Sequence, residues 1–247
     1  MALTDQQYGV IAAESFLPTD AARKLRDVGF VVMPDPTIPN CMEQLSAAYD
    51  RAIAEADPAD VRIASSTRVS DFVNRAPEFD GIYIYPPLLA ACCLIIGRPF
   101  KLSGTRARTL EPGAPREALH VDVKHAADGW PIVGFIMMID AFDAENGATR
   151  FVPGSHLQPC EPTELLENPH DTHEAQTLAC GPAGSIIIFN GSTWHGHTDN
   201  RSTRRRRSIQ GHFIPREARA SIDHAARMRP EVLLRLGDLA KYVLAVA

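Results

Sequence analysis

The 247-residue sequence has no CxxC pair, no long apolar run and no excess of basic charge. Each absence closes off a class of protein. The five cysteines (Cys41, Cys92, Cys93, Cys160, Cys180) are odd in number and only one pair is adjacent. That pattern fits neither a disulfide framework nor a zinc ribbon. Reduced thiols, and with them a cytoplasmic location, are the expectation. The longest apolar runs fall far short of the roughly 18 residues that a membrane span needs. The stretch Met1 to Gln7 has neither a basic region nor an apolar core, so no signal peptide is expected. A net charge of −5 gives no global pull toward nucleic acid. What is present is ordinary for a globule: 45% hydrophobic and 22% charged residues, at a length that suits one domain of the barrel or sandwich type.

Along the chain, residues 1–99 read as a helical buttress and lid region. Thr19-Asp20 caps a helix through Leu25 that Gly29 stops. Phe30 to Met33 is a short buried strand, closed by the turn Pro34-Asp35-Pro36. Asn40 caps a helix carrying Met42, Leu45, Tyr49 and Ile53 at helical spacing. Residues 62–82 read as a long polar loop with Arg68, Asp71, Phe72 and Asn74, a candidate lid. An apolar helix follows over 87–96, ended by Gly97. From Phe100 the pattern turns to strands, expected at 100–109, 117–124, 131–140, 148–152, 174–179, 184–190 and 205–214. That density of strands and turns predicts an antiparallel sandwich or barrel over 100–215. The runs 132–139 and 186–189 are near-continuously apolar and should be buried on both faces. Residues 216–247 return to helix.

The chemistry centres on His120-Val121-Asp122. In a strand, side chains at i and i+2 share a face, so His120 and Asp122 aim together while Leu119, Val121 and Val123 take the other side. Two histidines and one carboxylate on one side of a metal describe a non-haem Fe(II) oxygenase site. The missing ligand is best sought in Ser192-Thr193-Trp194-His195-Gly196-His197, which follows a buried strand. Spacing leaves His195 and His197 both open. Thr203 to Arg207 then enters a strand in which Arg206, Ser208, Gln210 and His212 share one face. A buried arginine needs an anion, and a dicarboxylate co-substrate would supply one.

With these features in order, the sequence resembles the phytanoyl-CoA dioxygenase (PhyH-like) family of Fe(II)/2-oxoglutarate oxygenases. The resemblance rests on His120-Val121-Asp122, then Glu145-Asn146-Gly147-Ala148-Thr149-Arg150-Phe151-Val152-Pro153-Gly154-Ser155-His156, then His195-Gly196 with Asn200, then Arg206 eleven residues after His195. It covers about residues 100–215. It implies a mainly β fold with flanking α-helices around a double-stranded β-helix, the cupin-like jelly-roll, in a single domain spanning 1–247. It implies Fe(II) held by His120, Asp122 and His195, which moves His197 to a supporting place in the pocket. It places 2-oxoglutarate on the metal and on Arg206, with Thr149 near a carboxylate of the co-substrate, and O2 as oxidant. Many relatives carry Gln three residues before the first metal histidine; here Glu117 stands there. His156 is read as ending a structural turn.

The activity so implied is hydroxylation of an unactivated C–H bond of a small molecule, with release of succinate and CO2. Desaturation, epimerisation and cyclisation draw on the same oxidant. Halogenating relatives lack the carboxylate, so Asp122 argues against halogenation. Pocket candidates are Phe72, Trp130, Trp194, His197, Gln210 and His212. Because no basic cluster outside 204–207 offers a seat for a coenzyme A diphosphate, a CoA thioester is not favoured; a secondary metabolite is expected. A cupin-like metal enzyme without 2-oxoglutarate and a non-catalytic binding module are the other readings. Nucleic-acid binding through Arg204–Arg207 is disfavoured by the acidic chain.

Overall fold

A computed structural model describes residues 3–34, 42–63 and 66–246. Four helices belong to the N-terminal part: α1 (Leu3–Glu14), α2 (Thr19–Asp27), α3 (Met42–Ala54) and α4 (Pro86–Ile95), with strand β1 (Phe30–Met33) between α2 and α3. Two short strands, β2 (Val61–Ile63) and β3 (Thr67–Ser70), precede α4. The long β4 (Phe100–Leu110) opens a run of strands, β5 (Val133–Met138) and β6 (Thr149–Phe151), which one helical turn, α5 (Pro162–Leu165), interrupts. Then come β7 (Thr177–Ala179), β8 (Ile186–Asn190), β9 (His195–His197) and β10 (Arg206–Pro215). Short helices α6 (His224–Arg227), α7 (Pro230–Arg235) and α8 (Asp238–Leu244) complete the described chain. Among the described residues no helix is long and apolar enough to cross a membrane.

The strands form two antiparallel sheets, one of seven strands in the order β1-β8-β5-β10-β4-β3-β2 and one of three in the order β7-β6-β9. This is the double-stranded β-helix. Alternation explains how it packs. Val133, Phe135 and Met137 of β5, Ile186 and Ile188 of β8, and Ile209 and Phe213 of β10 join the helices in one apolar core. The opposite positions, Ile136, Met138, Ile187 and Phe189, pack with Phe30 and Phe151 in a second cluster. Every residue of β5 and β8 is buried, as their apolar runs require.

Several sequence-based expectations change. The stretch 62–82 is not a long loop: β2 and β3 extend the large sheet at its β4 edge. Its Phe72 is 1% exposed, in the core against Tyr49 and Phe79. Nor is 117–124 a ladder strand. Its donors go to scattered acceptors: Leu119 N–H to Pro169 O, His120 N–H to His195 O, Asp122 N–H to Gly191 O. Only His120 forms a bridge, to His195. Helix α2 starts at Thr19 after an N-cap at Pro18, so Asp20 sits in the first turn rather than at the cap. Gly29 does stop it, at φ +92°, with its N–H on Lys24 O. The C-terminal helical stretch is broken at Leu236-Gly237. The Pro34-Asp35-Pro36 turn and the Asn40 cap involve positions outside the described residues.

Candidate active site

His120 and His195 face each other across a two-bond bridge: each backbone N–H donates to the other's carbonyl at 2.9 Å. Their rings lie 4.4 Å apart. Just beyond the bridge the chain turns, and the N–H groups of Asp122 and Val123 both donate to Gly191 O. That turn, rather than strand alternation, brings the Asp122 carboxylate back beside the histidines. Donor atoms of His120, Asp122 and His195 all lie within 4.8 Å of one another. Gly196 makes this approach possible. A Cβ there would stand 2.9 Å from Ala118 O and 3.0 Å from Glu117 O, so any side chain would push the His120 segment away from β9.

The tautomers are fixed by the backbone. His120 Nδ1 is 3.0 Å from Ala118 O and His195 Nδ1 is 2.8 Å from Thr193 O. A carbonyl only accepts, so each Nδ1 carries the proton and each Nε2 carries a lone pair. His195 Nε2 is 3.8 Å from Asp122 Oδ2. Burial pushes His195 down to about 4, keeping it neutral. Burial alone would raise the Asp122 carboxyl, but His212, His195 and His120 around it hold it well below the usual carboxylate range. Two neutral imidazole nitrogens and an ionised carboxylate on one side of a point suit a divalent first-row ion. His212 Nε2 bonds Asp122 Oδ2 at 3.0 Å and steadies that carboxylate.

At the other end of the same cavity, of about 120 Å³, stands Arg206. It is 1% exposed, and among the described residues its Nε and Nη1 have no hydrogen-bond partner. Its guanidinium lies over the Phe142 ring at 4.2 Å. Burial, with Arg108 nearby, pushes its pKa down to about 9, so it stays charged at neutral pH. A buried cation without a counter-charge is costly, which is the signature of a seat for an anion. Thr149, His197 and Gln210 line this cavity too. His197 Nδ1 is held by Thr198 O at 2.9 Å, and its Nε2 lies 3.8 Å from Glu117 Oε2. It sits toward the arginine end and outside the three-residue cluster.

Glu117, the departure noted above, is fully occupied by cations. Arg108 donates to both of its carboxylate oxygens at 3.0 Å, and Arg68 to Oε1 at 3.1 Å. Burial would raise this carboxyl, but Arg108 holds it down to about 2. Three predicted pocket residues fall elsewhere. Phe72 is in the core on the far side of the sheet. Trp130 spends its indole N–H on His156 O at 3.1 Å. Trp194 donates to Cys160 O at 3.2 Å and packs against Leu119 and Val152. Their aromatic character fills gaps instead of facing the cavity. Conversely, Arg68, Arg106 and Arg108 line it, and nothing local in the sequence joined them. They meet because β3 and β4 are neighbours. The premise that no basic cluster exists outside 204–207 is therefore wrong.

Residues 98–208 match the phytanoyl-CoA dioxygenase (PhyH) family. Over those residues the chain is PhyH-like. It is 25% identical to the dioxygenase trt7 of Aspergillus terreus over 217 residues, which is 80% of this chain and 73% of that one. Among solved structures, this PhyH-like chain is similar to the carbocyclase SnoK from nogalamycin biosynthesis, a non-haem α-ketoglutarate-dependent enzyme. There the TM-score is 0.67 at 17% identity, covering 92% and 93% of the two chains. It is also similar to HygX from Streptomyces hygroscopicus with nickel and 2-oxoglutarate bound, with a TM-score of 0.66 at 15% identity, covering 82% and 89%. At these identities the two structural likenesses are of fold. Fe(II), 2-oxoglutarate and O2 are the cofactor set of the PhyH family, and its chemistry is that of Fe/2-oxoglutarate-dependent oxygenases with diverse outcomes.

Proposed function

We propose that this chain is an Fe(II)- and 2-oxoglutarate-dependent dioxygenase that hydroxylates an unactivated C–H bond of a small molecule. One observation carries the reading: a His-Asp-His cluster with backbone-fixed tautomers shares a small cavity with a fully buried arginine that has no hydrogen-bond partner among the described residues. His120, Asp122 and His195 would hold the metal. Arg206 would pair with the far carboxylate of 2-oxoglutarate, and the Thr149 hydroxyl would stand by it. When bound, iron with 2-oxoglutarate and O2 supplies the oxidising power: one oxygen atom enters succinate, CO2 leaves, and the other oxygen atom goes to the substrate.

The chain's own residues supply order and dryness. The carbonyls of Ala118 and Thr193 keep both imidazoles in the ligating tautomer. His212 fixes the Asp122 carboxylate. Phe189, 4.8 Å from the His195 ring, and Phe151, 5.6 Å from it, shut water out on one side. A cytoplasmic location, inferred from the thiols, and one functional unit spanning 1–247 belong to the same proposal.

The test is succinate formation from 2-oxoglutarate by the full chain with Fe(II), in the presence of a panel of small molecules. Turnover should require Asp122 and Arg206, and the oxidised product should gain one oxygen atom. A product lighter by two hydrogens, or of unchanged mass, would move the assignment to desaturation, cyclisation or epimerisation. Turnover untouched in Arg206→Ala would sink the co-substrate assignment.

A further inference from the structure

The inner face of the large sheet carries more positive charge than the proposed chemistry uses. Antiparallel partners stand on the same face, directly opposite each other. Arg62 of β2 opposes Arg68 of β3, which opposes Arg108 of β4. In the next row on that face, Ser70, Arg106 and Gln210 stand side by side. Four arginines therefore share one patch across three adjacent strands. Like charges placed opposite each other are unfavourable, so the arrangement needs compensation. Glu117 compensates Arg108 and Arg68. Among the described residues no hydrogen bond or ion pair reaches Arg62 or Arg106, and the Arg106 Nε is buried without a partner.

Arg106 also stands where two spaces meet. It lines the cavity that holds the His-Asp-His cluster. It lines the adjoining groove too, of about 240 Å³, which runs past Gln210 and His212 to Arg62 and Ser221. Together the two spaces are lined by five arginines, 62, 68, 106, 108 and 206, against two carboxylates, Glu117 and Asp122. A divalent ion and a dicarboxylate would cancel each other. Three positive charges are then left along the cavity and the groove that shares Arg68, Arg106, Gln210 and His212 with it. Burial lowers the Arg106 pKa, as expected for a cation held in poor solvent contact without a bonded anion.

We propose that the substrate is anionic, and that its carboxylate or phosphate seats on Arg106 with Arg68 and Arg62 beside it. The anion would anchor the substrate in the groove and leave its reacting carbon at the Asp122 and His212 end of the cavity. This assignment rests on the oxygenase reading above and names its substrate class.

The test uses the full chain loaded with Ni(II) and 2-oxoglutarate, titrated calorimetrically with benzoate, phenyl phosphate and the neutral benzamide. Uptake of 2-oxoglutarate is titrated first as a separate readout; its absence would count against the Arg206 assignment. One anion should bind per chain, at least about tenfold tighter than benzamide, and the tighter of the two anions tells carboxylate from phosphate. Arg106→Gln should weaken the anions by about tenfold or more while leaving benzamide and 2-oxoglutarate as they were; Arg106→Lys should restore most of the loss. Because Arg106 has no bonded partner among the described residues, Arg106→Gln should melt at or above the wild-type temperature. The proposal is overturned if benzamide matches the anions, if Arg106→Gln leaves anion affinity unchanged, or if neither anion binds below about 10 mM.

Discussion

The inner face of the large sheet has two unlike halves. On β1, β8 and β5 it is aromatic and aliphatic: Phe30 stacks on Phe151 at 4.3 Å, and Phe151 meets Phe189 at 5.4 Å. On β10, β4 and β3 it is polar and basic, with Arg206, Ser208, Gln210, Arg106, Arg108 and Arg68. The His-Asp-His cluster lies on the border, with His195 against Phe189 and Asp122 bonded to His212. The aromatic half is finished as folded. The basic half carries polar atoms without a partner among the described residues, and reads as a surface made to be completed by ligands.

That contrast can be broken from either side. Phe189→Ala should be the most costly change, by about 3–5 kcal/mol in urea unfolding, because it empties the buried aromatic half. Arg206→Met should behave oppositely. It should weaken 2-oxoglutarate binding about 100-fold by calorimetry, a loss of about 2–3 kcal/mol, yet leave the ligand-free protein as stable or more so, since an uncompensated buried charge disappears. If Arg206→Met melts well below wild type, the basic half is structural and the contrast fails. His212→Ala should lower metal affinity by about tenfold in a competition titration with a chelator, through the freed Asp122 carboxylate, without preventing metal uptake.

A control outside both halves is His224, 3% exposed and, among the described residues, without a hydrogen bond at either ring nitrogen. Burial pushes it down to about 4 from the usual 6.5. The unfolded chain therefore takes up a proton first as pH falls, so stability is full above about 6.5 and is lost between about 6.5 and 4. Replacement by Phe should leave neutral-pH stability nearly unchanged and save about 1 kcal/mol at pH 5.5, read from denaturant curves at the two pH values.

Much of this was visible in the sequence wherever information is local. The apolar runs of β5 and β8 announced strands buried on both faces. The alternation in β10 separated Arg206 from Arg207, and the structure puts Arg206 inside while Arg207 pairs with Asp140. The ordered motif brought His120, Asp122 and His195 to one place. Non-local pairing was not visible. The hairpin of β2 and β3 lacks apolar alternation because it lies at a sheet edge, with Arg62 and Ile63 exposed. Without it, Arg68 looked like a loop residue and the arginine patch did not exist. Trp130, Trp194 and Phe72 misled for another reason. Large aromatic side chains mark packing as readily as binding, and only the placement of each ring tells which.

The backbone bridge between His120 and His195 has one further consequence. In small metal-dependent domains the ion gathers its ligands and folding waits for it. Here, two main-chain hydrogen bonds draw the ligand-bearing segments together, and Gly196 leaves them room. The main chain therefore holds the proposed ligand segments together by bonds that do not involve an ion. For the proposed metal site, stripping with a chelator should then leave the thermal melt cooperative, and Fe(II) added back should restore turnover.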